Sequence, residues 1–358
     1  MKVTRRDFLK YCIGSAATLG LSGSLLGTLE KALATGGGPP IIWIAASNCT
    51  GCTVSLANRI SASKPTDVAD LFINTVNLAY HPNLMGAAGS LAVKNALNAE
   101  NSGTFILAVE GGIPTAFEGR CCYVWNAIDP TTGRPRDWTA MEVVNRLAPK
   151  AHAILSIGTC ASFGGMAGAS PNPTGIRSVR ALTGRSTINI PGCPSHPDWI
   201  VGTIAKLLAG TTVSLDSSRR PRDYFSSNVH SACPRNGQAW ATTFGQQGLC
   251  LRDRGCKGPN TRSDCPTRKW NGGTNWCVGA NALCIGCTES GFPDRFSPFF
   301  SSAGALPSDH DRTTQSCSSC HSPSELGGGS SSGGSGGTQQ LPSGHPPTNG
   351  QSCTTCHG

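Results

Sequence analysis

The sequence is short of charged residues, of aromatic residues and of long apolar runs. Charged side chains make up 14% and aromatic side chains 6% of its 358 residues, and no long apolar run follows residue 300. Without such a run we expect no transmembrane anchor in the C-terminal part. The formal net charge is +9, but no base-stacking or helix–groove motif accompanies the basic residues, so we expect no nucleic-acid partner.

Cysteine, glycine and proline are abundant instead. The chain has 18 Cys, 45 Gly and 24 Pro, which indicates a globular protein with many thiols and much irregular backbone. Residues 230–287 hold two consecutive sets of four potential ligands: His230, Cys233, Cys250 and Cys256, then Cys265, Cys277, Cys284 and Cys287. Few helix or strand signals occur there, so apolar burial alone could hardly order the segment. Disulfides, two zinc sites or two iron–sulfur clusters are the alternatives.

The N-terminal segment has the features of an export signal. It begins MKVTRRDFLK, continues through a mildly apolar run and closes with Ala-Leu-Ala at residues 32–34. The pair Arg5-Arg6 resembles the twin-arginine type of signal, which exports proteins already folded, and Ala-x-Ala fits a cleavage site. A membrane anchor is the alternative for this run. We expect a periplasmic protein whose residues 1–34 are removed.

Short apolar runs alternate with helical stretches between residues 39 and 210. The runs IIWIAA, FILAVEG, AILSIG and TINI are typical of buried parallel strands, and helices are predicted near residues 84–99, 139–147 and 198–208. This alternation predicts a flavodoxin-like, doubly wound α/β domain. The proposed strands are followed by thiols, where such sheets place their ligands: Cys49, Cys52, Cys160 and Cys193. The thiols predict a third four-ligand site, with a redox dithiol plus core thiols as the alternative.

Six ordered motifs in residues 40–296 carry a resemblance to a known family. They are CTGCTVSLAN at 49–58, VEGGIPT at 109–115, GTCASFGG at 158–165, PGCP at 191–194, GCKGP at 255–259, and NWCVGANALCIGC followed by FPD at 292–294. Together they resemble the small subunit of the nickel–iron hydrogenases. The resemblance implies an electron-transfer subunit that partners a large subunit, where the nickel–iron site that splits hydrogen lies.

The resemblance also implies three clusters with named ligands. It assigns a proximal [4Fe-4S] cluster to Cys49, Cys52, Cys160 and Cys193, a distal [4Fe-4S] cluster to His230, Cys233, Cys250 and Cys256, and a medial cluster to Cys265, Cys284 and Cys287. Many relatives have Pro where this chain has Cys277 and carry a three-iron medial cluster. A fourth thiolate can hold a fourth iron, so we expect a medial [4Fe-4S] cluster, with a [3Fe-4S] cluster as the alternative. Three four-iron clusters resemble the selenium-containing branch of the family.

The C-terminal tail departs from that family. A Gly/Ser-rich linker separates two CxxCH motifs, one formed by Cys317, Cys320 and His321 and the other by Cys353, Cys356 and His357. CxxCH is the attachment signature of c-type haem, and His310 and His345 are candidate second axial ligands. We expect a flexible tail with two haems that passes electrons to a periplasmic c-type cytochrome or another acceptor. The alternative is that the thiols and imidazoles of the two CxxCH motifs bind zinc.

These observations predict four regions: a signal peptide at 1–34, the flavodoxin-like domain with the proximal cluster at 35–215, an irregular domain with the other clusters at 216–300, and the tail at 301–358. The predicted function is electron transfer in a periplasmic uptake hydrogenase, with a [NiFe] or [NiFeSe] site in the partner. A complex I-type cluster subunit and a multi-cluster carrier not coupled to hydrogen are the rival predictions. Cys121 and Cys122 are predicted to be structural thiols.

Overall fold

The structure is a computed structural model that describes residues 39–61, 66–74, 76–129 and 131–300. The predicted signal peptide therefore lies outside the described residues. The predicted haem tail, with both CxxCH motifs and with His310 and His345, lies outside them as well.

Seven strands and nine helices occur in the described part of the chain. The strands are β1 (Ile41–Ala45), β2 (Leu78–Tyr80), β3 (Ile106–Glu110), β4 (Tyr123–Ile128), β5 (Pro135–Thr139), β6 (Ala153–Ile157) and β7 (Ile188–Ile190). The helices are α1 (Gly51–Ala57), α2 (Val68–Asn74), α3 (Gly89–Asn101), α4 (Ala140–Leu147), α5 (Gly158–Phe163), α6 (Val179–Thr183), α7 (Pro197–Leu208), α8 (Arg222–Phe225) and α9 (Cys265–Arg268).

Five of the strands form a parallel sheet in the order β2-β1-β3-β6-β7. Numbered along the chain, the parallel strands run 2-1-3-4-5, which is also the order in flavodoxin. The order reverses between β1 and β3, where Ala45 lies opposite Glu110 at the carboxyl ends of the strands. In doubly wound sheets, this reversal point is where ligands bind.

Alternate side chains of the sheet pack against helices on its two faces. Ile41 and Trp43 point to the face covered by α7, where Trp199 and Ile204 are buried. Their neighbours along β1 belong to the opposite core, with the apolar sides of α3 and α4. Since both faces are covered, the strands read as continuous apolar runs, and the doubly wound prediction is confirmed.

The four strands predicted from apolar runs are β1, β3, β6 and β7, and the three predicted helices correspond to α3, α4 and α7. The short edge strand β2 and the antiparallel hairpin β4–β5 were not predicted. Tyr123 and Ile128 in β4 are exposed, so the hairpin lacks the uninterrupted apolar run that marks the central strands.

Residues 226–300 have little regular structure. Besides α9, they form single 3-10 turns at Arg252–Arg254, Gly258–Asn260 and Asp294–Phe296. Their hydrophobic cluster has five buried residues, Val229, Ala241, Leu251, Trp276 and Val278, and Cys250, Phe292 and Phe296 are buried outside it. Partly buried thiols pack against this core. The segment therefore has a much smaller apolar core than the sheet.

Polar contacts attach the irregular segment to the sheet region. The indole Nε1 of Trp199 donates to Asp264 Oδ1 over 2.8 Å. Buried Arg220 donates to the carbonyl of Thr288 and pairs with Glu289 over 2.8 Å. The described residues belong to one compact unit, and a domain boundary near residue 215 stays a prediction. Within the described ranges, no helix is both long and apolar enough to span a bilayer.

We predict that Leu107→Ala, in β3, lowers the free energy of unfolding by about 2–5 kcal/mol because Leu107 is fully buried and its truncation leaves a cavity. Leu91→Ala is the matched control, since Leu91 is 58% exposed and its truncation should cost under about 0.5 kcal/mol. Urea denaturation followed by circular dichroism compares the two. Equal losses would contradict the assignment of β3 to the core.

Candidate metal centres

The four thiols that we call the proximal set, Cys49, Cys52, Cys160 and Cys193, lie at the carboxyl edge of the parallel sheet. Cys49 is in the loop after β1 and Cys52 is in α1, whereas Cys160 is in α5 after β6 and Cys193 follows β7. Cys52 is buried, Cys160 is half-buried, and Cys49 and Cys193 are exposed. The set therefore opens to the surface on one side, next to the reversal point of the sheet.

Electrostatic effects between the thiols show that the proximal set is a group. Burial raises the pKa of Cys52, and Glu110, Cys160 and Cys193 raise it further. Burial also raises the pKa of Cys193 to about 11, with added effects of Cys160 and Cys49. Bare thiolates are thus disfavoured here, and a cationic metal centre would offset that cost.

Two glycines leave room for the proximal sulfurs. Gly158 has φ +80°, and a Cβ there would lie 2.5 Å from the Sγ of Cys52. Gly165 has φ +54°, and a Cβ there would lie 2.7 Å from the backbone nitrogen of Cys160 and 2.9 Å from its Sγ. Both positions combine a backbone conformation that favours glycine with a close approach to a thiol, so the turns are shaped around the sulfurs.

The distal set consists of His230, Cys233, Cys250 and Cys256. A Cβ built on Gly258 lies 3.6 Å from the Sγ of Cys256 and 3.7 Å from the Cβ of His230, so these two side chains flank one glycine. Burial raises the pKa of Cys256, and Cys233 and Cys250 raise it further. All four members therefore come together in the irregular segment.

The medial set consists of Cys265, Cys277, Cys284 and Cys287. Burial raises the pKa of Cys265 to about 12, with added effects of Cys277 and Cys284. Burial also raises the pKa of Cys287, and the same three thiols raise it further. Cys277 thus lies beside the other three thiols and not apart from them.

The medial set contacts both other sets, although it comes last in the chain. The hydroxyl of Thr159, next to Cys160 of the proximal set, donates to the backbone carbonyl of Cys287. The backbone amide of Cys193 lowers the pKa of Cys287 against the larger effect of burial. On the other side, the backbone N–H of Lys257, next to Cys256 of the distal set, donates to the carbonyl of Cys284 over 2.7 Å. Burial raises the pKa of Cys284, and Cys256 raises it further. The spatial order is therefore proximal, medial, distal.

The donor chemistry of the three sets fits iron–sulfur clusters. Eleven thiols and one imidazole make up twelve ligands in three groups of four, and every cysteine among the described residues is a free thiol. Among those residues, no three His, Cys, Asp or Glu side chains are close enough to share one metal ion. A four-iron cluster spreads its ligands over four iron atoms, so that finding concerns single-ion sites only.

Glu110 and His81 form a buried polar group behind Cys52, which the sequence indicates only in part. Glu110 accepts hydrogen bonds from the backbone nitrogens of Cys52 and Thr53 and from Trp43 Nε1. His81 contacts the hydroxyl of Thr53, and burial lowers the pKa of His81 to about 4, so its ring is neutral. The only sequence signal was the position of Glu110 at the end of a strand.

Cys121 and Cys122 lie away from the three sets. Cys121 is exposed, whereas Cys122 is half-buried and packs against the core on the α3/α4 face. Burial raises the pKa of Cys122. A structural role for these two thiols stays a prediction.

A parallel α/β domain with thiols at its ligand edge, joined to a cysteine-rich segment of little regular structure, defines an iron–sulfur protein of the oxidoreductase class. Two family descriptions match this division. Residues 49–207 match the family described as "NADH ubiquinone oxidoreductase, 20 Kd subunit". Residues 225–300 match the family that describes the C-terminal region of the NiFe/NiFeSe hydrogenase small subunit.

Two relatives, each matched over nearly its full length, narrow the class of iron–sulfur oxidoreductase further. The periplasmic [NiFeSe] hydrogenase small subunit of Desulfomicrobium baculatum is 39% identical over 319 residues, which cover 84% of this chain and 99% of the relative. The periplasmic [NiFe] hydrogenase small subunit 1 of Nitratidesulfovibrio vulgaris is 37% identical, with 84% and 94% covered.

A solved structure agrees with these relatives. The [NiFeSe] hydrogenase of Dm. baculatum matches with a TM-score of 0.69 and 38% identity over 74% of this chain and 99% of the solved chain. The chain belongs to the family of NiFe/NiFeSe hydrogenase small subunits. The rival prediction of a complex I-type subunit is not favoured, because the match at residues 225–300 is to the hydrogenase family.

We predict that Gly158→Ala lowers the iron content of the purified protein, because the new Cβ would displace the sulfur of Cys52. Gly184→Ala is the matched control: Gly184 also has a positive φ, +67°, but a Cβ there meets nothing within 4 Å. Both variants strain the backbone, and only the first disturbs a thiol. Iron analysis and electron paramagnetic resonance compare the two variants. Equal iron loss in Gly158→Ala and Gly184→Ala would contradict the prediction.

Proposed function

We propose that this chain is the electron-transfer subunit of a periplasmic uptake hydrogenase, and that its three ligand sets hold three [4Fe-4S] clusters. The observation that carries the proposal is the contact of the medial set with both others. The hydroxyl of Thr159, next to Cys160, donates to the carbonyl of Cys287, and the backbone N–H of Lys257, next to Cys256, donates to the carbonyl of Cys284 over 2.7 Å. These contacts form a continuous line of ligand sites across the molecule. When bound, the clusters would supply one-electron carriers along that line.

The protein's own groups are suited to hold such centres. The amide of Ser195 donates to the sulfur of Cys52 over 3.4 Å. Burial raises the pKa of Cys160, and the backbone amides of Ala167 and Met166 lower it. Hydrogen bonds to sulfur stabilise negative charge there and raise the reduction potential of a cluster. Thiolate ligands fixed by packed loops also limit rearrangement when the charge changes.

The exposed side of the proximal set is where we expect a catalytic large subunit to bind. Both Cys49 and Cys193 are exposed there, and the neighbouring ligand-bearing segments carry Val54 and Met166, each about half exposed. Apolar side chains around exposed thiols favour burial by a partner protein. The relatives named above are hydrogenase small subunits, which supports a partner that carries a [NiFe] or [NiFeSe] site.

The distal set lies near a surface suited to an electron acceptor. Trp240 pairs with Cys250 through a backbone bridge and is 54% exposed, and the guanidinium of Arg252 lies over its ring. Phe244 and Phe300 are also exposed and contact each other. We propose that electrons leave by this side to a c-type cytochrome or another acceptor.

Two haems are proposed for the tail, held by Cys317, Cys320 and His321 and by Cys353, Cys356 and His357, with His310 and His345 as second axial ligands. The support is the repeated CxxCH spacing. Twin-arginine export is proposed on the basis of Arg5-Arg6, and a periplasmic location is supported by the periplasmic relatives.

The proposal is tested on the complex purified from its native periplasm. We expect nickel in a co-purifying large subunit, about twelve non-haem irons per small subunit, and two covalent haems in a pyridine haemochrome spectrum. Absence of a nickel-containing partner would contradict the hydrogenase assignment. Full iron content with no covalent haem would contradict only the role of the tail.

We predict that Cys277→Ala removes one iron from the medial set and gives the magnetic resonance signal of an oxidised three-iron cluster, because the fourth thiolate that holds the fourth iron is lost. Cys121→Ala is the control, since Cys121 is exposed and outside the three sets. Iron analysis and spectroscopy of both variants check this. An unchanged iron content in Cys277→Ala would show that Cys277 is not a ligand.

A further inference from the structure

A buried carboxylate lies directly behind the proximal set. Glu110, at the end of β3, is 2% exposed. Its Oε1 accepts the backbone N–H groups of Cys52 over 3.0 Å and of Thr53 over 3.2 Å. Its Oε2 accepts the indole N–H of Trp43 over 3.2 Å and also the hydroxyl of Thr53. Four donors thus surround one carboxyl group.

The hydrogen-bond directions suit an ionised carboxylate. The two backbone amides and the indole can only donate. Because Nδ1 of His81 accepts the backbone N–H of Asn83 over 3.1 Å, the proton of the neutral ring is on Nε2, which faces the Thr53 hydroxyl at 3.5 Å. That hydroxyl then directs its own proton to Glu110. With all four neighbours donating, both oxygens of Glu110 act as acceptors, which is the role that an ionised carboxylate fills.

Within the described part of the chain, no cation pairs with the carboxylate of Glu110. Among the ion pairs of the described residues, none involves Glu110, although Glu100, which is equally buried, is paired with both Arg146 and Lys150. A negative charge held in a low-dielectric interior acts strongly on nearby charges. The proximal set lies next to this charge, because the backbone N–H of Cys52 donates a hydrogen bond to Glu110.

We propose that Glu110 lowers the reduction potential of the centre held by Cys49, Cys52, Cys160 and Cys193 and fixes the backbone of Cys52, so that it is a positioning residue for electron transfer. The inference rests on the proposed function. Each reduction adds one electron, and therefore one negative charge, beside a carboxylate that opposes it. Trp43, Thr53 and the neutral His81 hold the carboxylate in place and moderate its charge.

The test is a redox titration of the purified complex followed by electron paramagnetic resonance. Glu110→Gln keeps the size of the side chain and removes its charge, so the proximal midpoint potential should rise by roughly the equivalent of a tenfold change in the reduction equilibrium, about 59 mV for one electron. Glu100→Gln is the control, since Glu100 precedes β3 and lies at the opposite edge of the sheet. It should leave the potential unchanged.

A second variant separates charge from packing. Trp43→Phe removes one donor to Glu110 but leaves the carboxylate, so the charge is less compensated and the potential should fall. A rise in Glu110→Gln together with a fall in Trp43→Phe supports the inference, whereas any other combination of shifts overturns it. If Glu110→Gln fails to retain its iron, Trp43→Phe alone decides: a fall in potential supports the inference, and no fall overturns it.

The outcomes also distinguish this inference from the function on which it rests. An unmodified complex without a proximal iron–sulfur signal would overturn the proposed function and, with it, this inference. A full iron content in Glu110→Gln with an unshifted potential would leave the function standing and overturn the role of Glu110.

Discussion

The cost of ionising buried thiols is the constraint on which the rest of this structure depends. Burial raises the pKa of most thiols in the three sets, so the protein alone favours neutral thiols where metal ligands must be thiolates. Metal binding releases those protons and thereby couples to folding. This coupling matters most in residues 226–300, where the hydrophobic cluster is much smaller than the two clusters that flank the sheet.

The fold answers this constraint in two ways. At the proximal set, the rigid carboxyl edge of a parallel sheet holds the thiols, and glycines at 158 and 165 leave space for the sulfurs. At the medial and distal sets, little sheet or helix is present, and polar contacts to the sheet region take over part of the positioning. Buried Arg220 is an example, since it joins Asp216 to Glu289 and to a carbonyl beside the medial set.

Charge is distributed unevenly around the three sets. Behind the proximal set stands Glu110, a carboxylate without an ion-pair partner among the described residues, whereas the distal side presents Arg252 against an exposed tryptophan. A negative charge at one end and a positive charge at the other would make electrons less stable at the first site than at the last. Such a gradient suits one-way transfer from a hydrogen-splitting partner to an acceptor.

The sequence by itself determined the central strands, the three predicted helices and the composition of the ligand sets. Apolar runs and thiol-bearing turns are local features, and local features can be read from the chain. The edge strand β2 and the β4–β5 hairpin were missed, because a three-residue strand and a half-exposed hairpin carry no comparable signal.

Only the tertiary structure decided how the sets are ordered in space and what lies behind them. The contacts of Cys287 with Thr159 and of Cys284 with Lys257 join residues from separate segments, and the motifs alone could place the medial set only by resemblance to a family. Glu110 meets Cys52 and Trp43 from positions 58 and 67 residues away. Long-range contacts of this kind depend on how the strands are ordered in the sheet, and no local pattern in the sequence encodes them.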